Sequence, residues 1–471
     1  MKRPAEYHAE VNAIDLDRFH LFRNDQITGV YDFAILEYLK EEKNIFILGG
    51  IPYIYREGVY RQDQSGAVLK TMIRDLIYPQ YVRSPTIKRI YDLFVTDAKL
   101  NITAEDLNRY PVEWINFRNG FYDPVNRKII PHDPSYLAVN QIPHDYDPEG
   151  GQHGTVVQEW LRSICETPED VEMLCQFAGL CMTRDTRQQK FLVLVGEGGT
   201  GKSTVIRMLN KMVGLENISN VSLYQLTQRF APINLLGKLL NSCADLELDA
   251  LSDVSTLKKV LGEDSISAEA KGKDAISFVS FAKLIFSTNE LPIVKAERTN
   301  GFYRRLMILT MDKVPEKKDP DFFDMLSADI DDFIHASVAA LERMYQRGTI
   351  AESPRSVEAV TRLRCDSDTV EAFLTETTEK VPDGRIKKSS LYREYENFCQ
   401  DMGRQSLTKQ NFYRSMKAKG FGEIKPTGAE YFKGIDHKRN LPEKSLTGFI
   451  DPPDGCFPFD NQGEKGNGRE K

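Results

Sequence analysis

One short run constrains this chain more than any other. GEGGTGKST (196–204) spells G-x-x-x-x-G-K-S in full, follows directly on the apolar run KFLVLV (190–195), and opens a helical pattern, VIRMLNKMV. Strand, glycine-rich turn and helix in that order make a phosphate-binding loop. The glycines let the backbone turn sharply and aim N–H groups at phosphate oxygens, and the helix N-terminus adds partial positive charge. Gly196, Gly198, Gly199 and Gly201 supply that freedom, with Glu197, Thr200 and Thr204 completing the loop. Lys202 is the expected point charge for the β- and γ-phosphates, and Ser203 the hydroxyl ligand for Mg²⁺, so residues 196–204 read as an ATP site. The bland alternative is a strand–helix turn with a chance lysine. The register of strand, loop and helix argues against it.

The rest of the chain fits a globular protein built around that loop. Its 471 residues correspond to about three domains of ordinary size. Charged residues make up 28% and hydrophobic residues 41%, too apolar for a disordered chain. No apolar stretch is long enough to span a membrane, and the start, MKRPAEYHAEVNAIDLDRF, does not read as a secretory signal. The net charge of −7 argues against a surface coated in positive charge, but a local basic channel on an acidic body remains compatible with nucleic acid. Seven scattered cysteines (Cys165, Cys175, Cys181, Cys243, Cys365, Cys399, Cys456) form no C-x-x-C pair, so neither a zinc site nor a disulfide framework is expected. A reducing cytoplasm is the expected setting.

Six segments follow from composition and periodicity. Residues 1–110 read as α+β without a functional signature, with short antiparallel strands in IFILGGIPYIYREGVYRQ (45–62). Residues 111–189 run from a turn-rich stretch into helices, and 190–312 alternate strands and helices. Four apolar runs, KFLVLV, KLLNSCA (238–244), AKLIFST (282–288) and RLMILTM (305–311), predict buried strands of a parallel sheet, an α/β core. Residues 313–375 read as helical, 385–436 as a small separate unit, and 444–471 as a disordered tail. Asp15 and Asp17 form a D-x-D pair, read as a solvated turn or cap.

Nucleotide hydrolysis needs more than the loop. KLLNSCADLELD ends a strand in acids: Asp245 is assigned to Mg²⁺ through water and Glu247 to polarising the attacking water, the alternative being a strand that ends in solvated acids. LIFSTNELP ends another strand at Asn289, which can hydrogen-bond that water or the γ-phosphate; a turn-forming Asn is its bland reading. Arg304 and Arg305 precede the last strand, and either could serve a neighbouring subunit as an arginine finger or be an ordinary surface cation.

This ordered set within residues 196–305 resembles the superfamily III helicases, a branch of the AAA+ ATPases, and more closely the helicase part of phage and plasmid primase–helicases, a family that includes the poxvirus primase/NTPase. NGFYDPVNRKIIPHDPSY, GLCMTRDTRQQKFLVLVGEGGTGKST and STLKKVLGEDSISAEAKGKDAISFVSFAKLIFSTNELP carry the resemblance, which spans roughly residues 110–435. About 110 residues precede it, too few for the primase domain of many relatives, so no primer synthesis is expected. The acidic motif departs from the family in being D-L-E rather than two adjacent acids.

The resemblance implies a hexameric ring with a hairpin reaching into its channel. ISAEAKGKDAISF has strand-like flanks around Lys271 and Lys273, which would contact phosphates of a single strand without reading sequence; an exposed polar hairpin is the alternative. Residues 385–436 read as a winged helix. From Arg404 to Lys433 the basic residues are Arg404, Lys409, Arg414, Lys417, Lys419, Lys425 and Lys433 against Glu423 and Glu430. Lys409, Arg414, Lys417 and Lys419 are the expected DNA contacts of its second helix, with protein docking as the other use of such a shape.

Two functions fit. One is an ATP-dependent replicative DNA helicase of a phage, plasmid or mobile island, a hydrolase acting on single-stranded and forked DNA in the cytoplasm of a bacterial host, with a separate primase or polymerase as partner. The other is an ATP-dependent origin-binding initiator or adaptor that recruits replication factors without processive unwinding.

Overall fold

The computed structural model describes residues 14–150, 155–244, 255–262, 264–269, 275–291, 300–314 and 319–438. The chain divides into two compact units between Ala372 and Phe373.

After an antiparallel hairpin of His20–Arg23 and Gln26–Val30, the first unit packs the helices Asp32–Glu42, Ala67–Asp75 and Ser84–Thr96 around a core that includes Ile35, Leu39, Ile73 and Phe94. Strands Ile45–Leu48, Ile51–Arg56 and Val59–Gln62 form the antiparallel sheet read from the sequence. Gly49 and Gly50, at φ +58° and +72°, make its first turn, where two left-handed residues match the twist of the flanking strands. Asp15 caps a short helical turn by accepting from the Asp17 N–H at 3.0 Å. A second antiparallel sheet, Ile115–Phe117, Gly120–Asp123 and Lys128–Ile130, occupies the turn-rich stretch.

Two helices lead into the parallel sheet: α1 (Thr155–Ile164) and α2 (Pro168–Cys181). Thr167 and Asp170 form a reciprocal capping box that starts α2, with Pro168 in its first turn. Then come β1 (Phe191–Val195), α3 (Lys202–Val213), β2 (Ile218–Ser219), β3 (Leu240–Cys243), β4 (Lys283–Thr288) and β5 (Leu306–Thr310). These strands form one five-stranded sheet in the order β2-β3-β4-β1-β5, with every pairing parallel. Along β1, Leu192 and Leu194 enter one hydrophobic core while Phe191 and Val193 enter another. Both faces of the sheet are therefore covered, which is why β1 and β5 appear as nearly unbroken apolar runs, FLVLV and LMILT. β2 was not anticipated, and its two residues are too short to leave a pattern.

The helices α4 (Ile330–Arg347) and α5 (Pro354–Ser367) complete the unit. A Cβ added at Gly179 on α2 would lie 2.6 Å from the Ser337 carbonyl oxygen on α4, so α2 and α4 approach backbone to backbone.

The second unit contains β6 (Arg385–Lys387), α6 (Lys388–Asp401), α7 (Lys409–Ala418), β7 (Gly422–Ile424) and β8 (Tyr431–Lys433). The strands pair antiparallel in the order β6-β8-β7. Ile386, Leu391, Tyr395, Phe412, Met416 and Phe432 are buried. The Thr408 side chain accepts from the Asn411 N–H and so starts α7. The expected tail, 444–471, lies outside the described residues.

Candidate functional site

Strand register builds the site. Thr288 of β4 lies beside Val195 of β1, and Phe286 of β4 beside Cys243 of β3. The C-terminal ends of β1, β3 and β4 thus share one edge, and the glycine loop, Ala244 and Asn289 emerge there together. After β1 the chain crosses to β2 at the far edge and returns inward through β3 and β4 to pair with β1, and β5 is added on the other side. Such a reversal opens a crevice at the carboxyl ends of the strands.

The loop fits that crevice closely. The Gly196 N–H donates to Thr288 O at 3.3 Å, and the Met311 N–H to Val195 O at 2.7 Å. A Cβ at Gly196 would lie 2.1 Å from Met311 O, so no other residue fits without moving the β5 exit. Gly199 and Gly201 both sit at φ +95°, the left-handed region that glycine tolerates. Glu197, Gly198 and Gly199 are exposed, while Thr200 is buried and its hydroxyl donates to Glu197 O at 3.0 Å. α3 begins at Lys202, so Ser203 and Thr204 lie in a first turn whose N–H groups lack helical partners. The Ser203 side chain is exposed.

Lys202 holds the site together. Its ammonium donates to Gly196 O at 2.5 Å, to Glu197 O at 2.9 Å and to Asn289 Oδ1 at 3.1 Å. All three acceptors are neutral, and no described carboxylate pairs with it. Burial pulls its pKa below the usual lysine range, a sign that water stabilises this charge less than in bulk. A cation with no carboxylate partner among the described residues, in a ring of carbonyl dipoles at a helix N-terminus, is a place for an anion. Thr288 Oγ1 donates to Glu290 O at 2.6 Å, turning the chain as β4 ends and holding Asn289 at the loop. The Ser287 hydroxyl donates to Ala244 O, tying the ends of β3 and β4. Asp245 and Glu247 lie outside the described residues, so of the expected metal ligands only Ser203 is placed.

The two arginines are not equivalent. Arg305 is buried, and its guanidinium donates to Gly301 O at 2.6 Å and Gln189 Oε1 at 3.1 Å. Burial, then neighbouring Arg304, lowers its pKa. Arg304 is exposed and forms no ion pair among the described residues. Both precede β5, whose register runs from Leu306 beside Phe191 to Thr310 beside Val195. They stand at the opposite edge of the sheet from the loop, about 16 Å away for five parallel residues. Arg304 is therefore remote from the loop of its own chain.

The expected DNA contacts divide in the same way. Strands Ser265–Ala268 and Ile276–Val279 form the flanks of the anticipated hairpin, with Ala268 opposite Ile276, but Lys271 and Lys273 lie outside the described residues. α7 buries Phe412 and Met416 and exposes Lys409, Arg414 and Lys417, with Lys419 half-buried. Lys417 is bound to Glu423 at 2.9 Å, so part of its charge is spent inside the unit. The sequence reading also missed Lys388, a buried lysine 2.5 Å from Glu423 and 3.3 Å from Glu430.

Comparison with known proteins places these features. Residues 35–166 match the family described as D5 N terminal like, and residues 194–305 match a family of unknown function, DUF5906. The first match begins well upstream of residue 110, and the second runs from the end of β1 to Arg305. A helicase-named protein of Acanthamoeba polyphaga mimivirus is 26% identical over 208 residues, which are 41% of this chain and 21% of that one. The alignment thus spans about a fifth of that relative. The apo structure of the NrS-1 C-terminal region has a similar fold, with a TM-score of 0.50 at 13% identity, covering 85% of this chain and 99% of that one. No helix among the described residues is long and apolar enough to cross a membrane.

Proposed function

From the premise that the D5 N-terminal-like and DUF5906 domains and the helicase-named relative fit a phage primase–helicase family protein, we propose that this chain is an ATP-driven DNA helicase motor of a phage, plasmid or mobile island. The observation that carries the reading is the Lys202 ammonium, held by Gly196 O, Glu197 O and Asn289 Oδ1 and by no described carboxylate. In this reading the sheet is an AAA+ core and residues 196–204 are its phosphate-binding loop.

The residues present suit the nucleotide. Gly196 lets the loop start packed against the Met311 carbonyl, and exposed Gly198 and Gly199 let the backbone come close to phosphates. The N–H groups of 196–204 and Lys202 would hold the phosphates of ATP, and Ser203 and Asp245 the Mg²⁺. Bound ATP supplies a phosphoanhydride whose cleavage releases free energy. Lys202 trades its loop carbonyls for phosphate oxygens, Asn289 orients the attacking water, and Glu247 polarises it. Arg304, exposed and at the far edge of the sheet, serves the loop of a neighbouring protomer in a ring, while Arg305 holds the start of β5. Lys271 and Lys273 track a single strand through the ring, and the second unit, a winged helix in this reading, lays Lys409 and Arg414 on duplex DNA.

Subunit mixing tests this. Lys202→Ala and Arg304→Ala proteins, each inactive alone, should recover part of the hydrolysis when combined, because mixed interfaces pair an intact loop with an intact arginine. Rings that form from the mixture without any recovery would defeat the trans arrangement. Hydrolysis stimulated by single-stranded DNA and lost in Lys271→Ala/Lys273→Ala separates the helicase from an origin-binding adaptor, which has no use for a translocating hairpin.

A further inference from the structure

The small sheet of the second unit has two unlike faces. Burial alternates along β6, with Ile386 inside and Arg385 and Lys387 exposed; on β8, Phe432 is inside, Lys433 exposed and Tyr431 half-buried. Register sets Arg385 and Gly422 on either side of Lys433, and Lys387 and Ile424 on either side of Tyr431. The outer face therefore gathers Arg385, Lys387 and Lys433 around Tyr431, and the Arg385 guanidinium lies 5.9 Å from the centre of the Tyr431 ring. None of the three cations forms an ion pair with a described residue.

The acids lie elsewhere. Glu423, opposite Phe432 in the register, binds Lys388 at 2.5 Å and Lys417 at 2.9 Å. Glu430 reaches Lys388 at 3.3 Å and Lys425 at 3.7 Å. On the outer face, by contrast, Arg385 and Lys433 stand directly opposite each other on neighbouring strands, where like charges disfavour pairing. A unit that pairs Lys388 of α6, Lys417 of α7 and Lys425 after β7 with acids, yet leaves an opposed cation pair exposed on its sheet, is suited to receive a polyanion there.

We propose that this outer face is a binding site for single-stranded DNA, distinct from α7. Three cations within one strand spacing and one two-residue step of each other, about 5 and 7 Å, can follow successive phosphates of a flexible strand. Tyr431 offers a ring on which a base can stack without sequence preference. A base can stack on Tyr431 only when it is unpaired, and this favours the single strand over a duplex whose bases are stacked inside. The site deepens the DNA reading above but does not depend on the nucleotide site, so it is tested in the full-length Lys202→Ala protein without nucleotide.

The experiment measures fluorescence anisotropy of a labelled thymidine homopolymer and of a blunt duplex of equal length, across a salt series. Arg385→Ala/Lys387→Ala/Lys433→Ala should weaken single-strand binding at least about tenfold and lower the magnitude of its salt slope by about 2, for three lost phosphate contacts. Tyr431→Ala should weaken it by roughly fivefold or more at unchanged salt slope. Arg385→Lys should keep most of the single-strand affinity. Removing opposed cations should leave the melting temperature of the triple variant equal or higher, which separates lost contact from lost fold. Wild-type affinity in the triple variant, or equal weakening on strand and duplex, would overturn the proposal. Normal ATP turnover by Lys202→Ala would sink the motor reading and leave this result standing.

Discussion

Two lysines mark the two ends of one sheet, and their difference separates chemistry from architecture. Lys202 sits at the carboxyl edge and Lys283 opens β4 at the other, where its ammonium donates to Thr183 O at 2.6 Å and Phe281 O at 3.1 Å. Both are held by neutral oxygens, and burial lowers the pKa of both. Lys283 is 4% exposed and pushed down to about 8, whereas Lys202 remains half-exposed, beside a loop with open glycines. The buried lysine completes the fold because nothing else can reach it. The other holds the same kind of partners in a place where an anion can displace them. Arg305 and Arg304 repeat the contrast at adjacent positions, one tied to Gly301 and Gln189 and the other exposed.

The contrast is sharpest in substitutions that exchange the two roles. Lys202→Ala should abolish ATP hydrolysis, measured as phosphate release, while shifting the melting temperature little; normal turnover would end the site assignment. Arg304→Ala should cut hydrolysis by about 10³-fold or more at unchanged stability. Arg305→Ala should do the reverse first, losing about 1–3 kcal/mol in urea unfolding because the buried guanidinium's bonds to Gly301 O and Gln189 Oε1 are lost. Lys283→Ala belongs with Arg305→Ala, also losing about 1–3 kcal/mol as two carbonyls lose their donor. If instead it lowered hydrolysis with no loss of stability, the division between the edges would fail.

The smallest effect is a matter of sign. Lys283 has a folded pKa of about 8 against an ordinary value of 10.5. Between those values the unfolded chain binds the extra proton, so this group's contribution to stability rises with pH across that window and is least favourable below it. The stability of wild type relative to Lys283→Met should therefore increase from pH 8 to pH 10, read by urea unfolding at each pH. A constant difference would mean the ammonium is better solvated than its burial indicates.

What the sequence could reveal follows the range of the interactions involved. The four longer strands of the parallel sheet were legible because burial on both faces favours apolar runs, most nearly continuous in FLVLV and LMILT. The hairpin at Gly49–Gly50 was legible because its turn demands particular residues. Lys202 and Asn289 could each be named, but their 3.1 Å contact spans 87 positions and exists only through the β1–β4 register. Arg304 and Arg305 could not be told apart, since neighbouring residues share composition and differ only in which way they face the core. The pairing of Lys417 with Glu423 and the burial of Lys388 were hidden for the same reason, so the basic stripe of α7 looked freer in sequence than it is in the fold. The D5-like match from residue 35 covers helices and strands whose local pattern carried no chemistry.

The distance from Arg304 to the loop of its own chain has a kinetic consequence. Five residues of β5 separate the arginine from the edge that carries Lys202, so under the trans arrangement proposed above a lone chain would own two halves of a reaction centre that cannot meet. Specific activity should then collapse on dilution, with an apparent order in protein concentration above one, and should recover on crowding the chains together or tethering them on a shared strand.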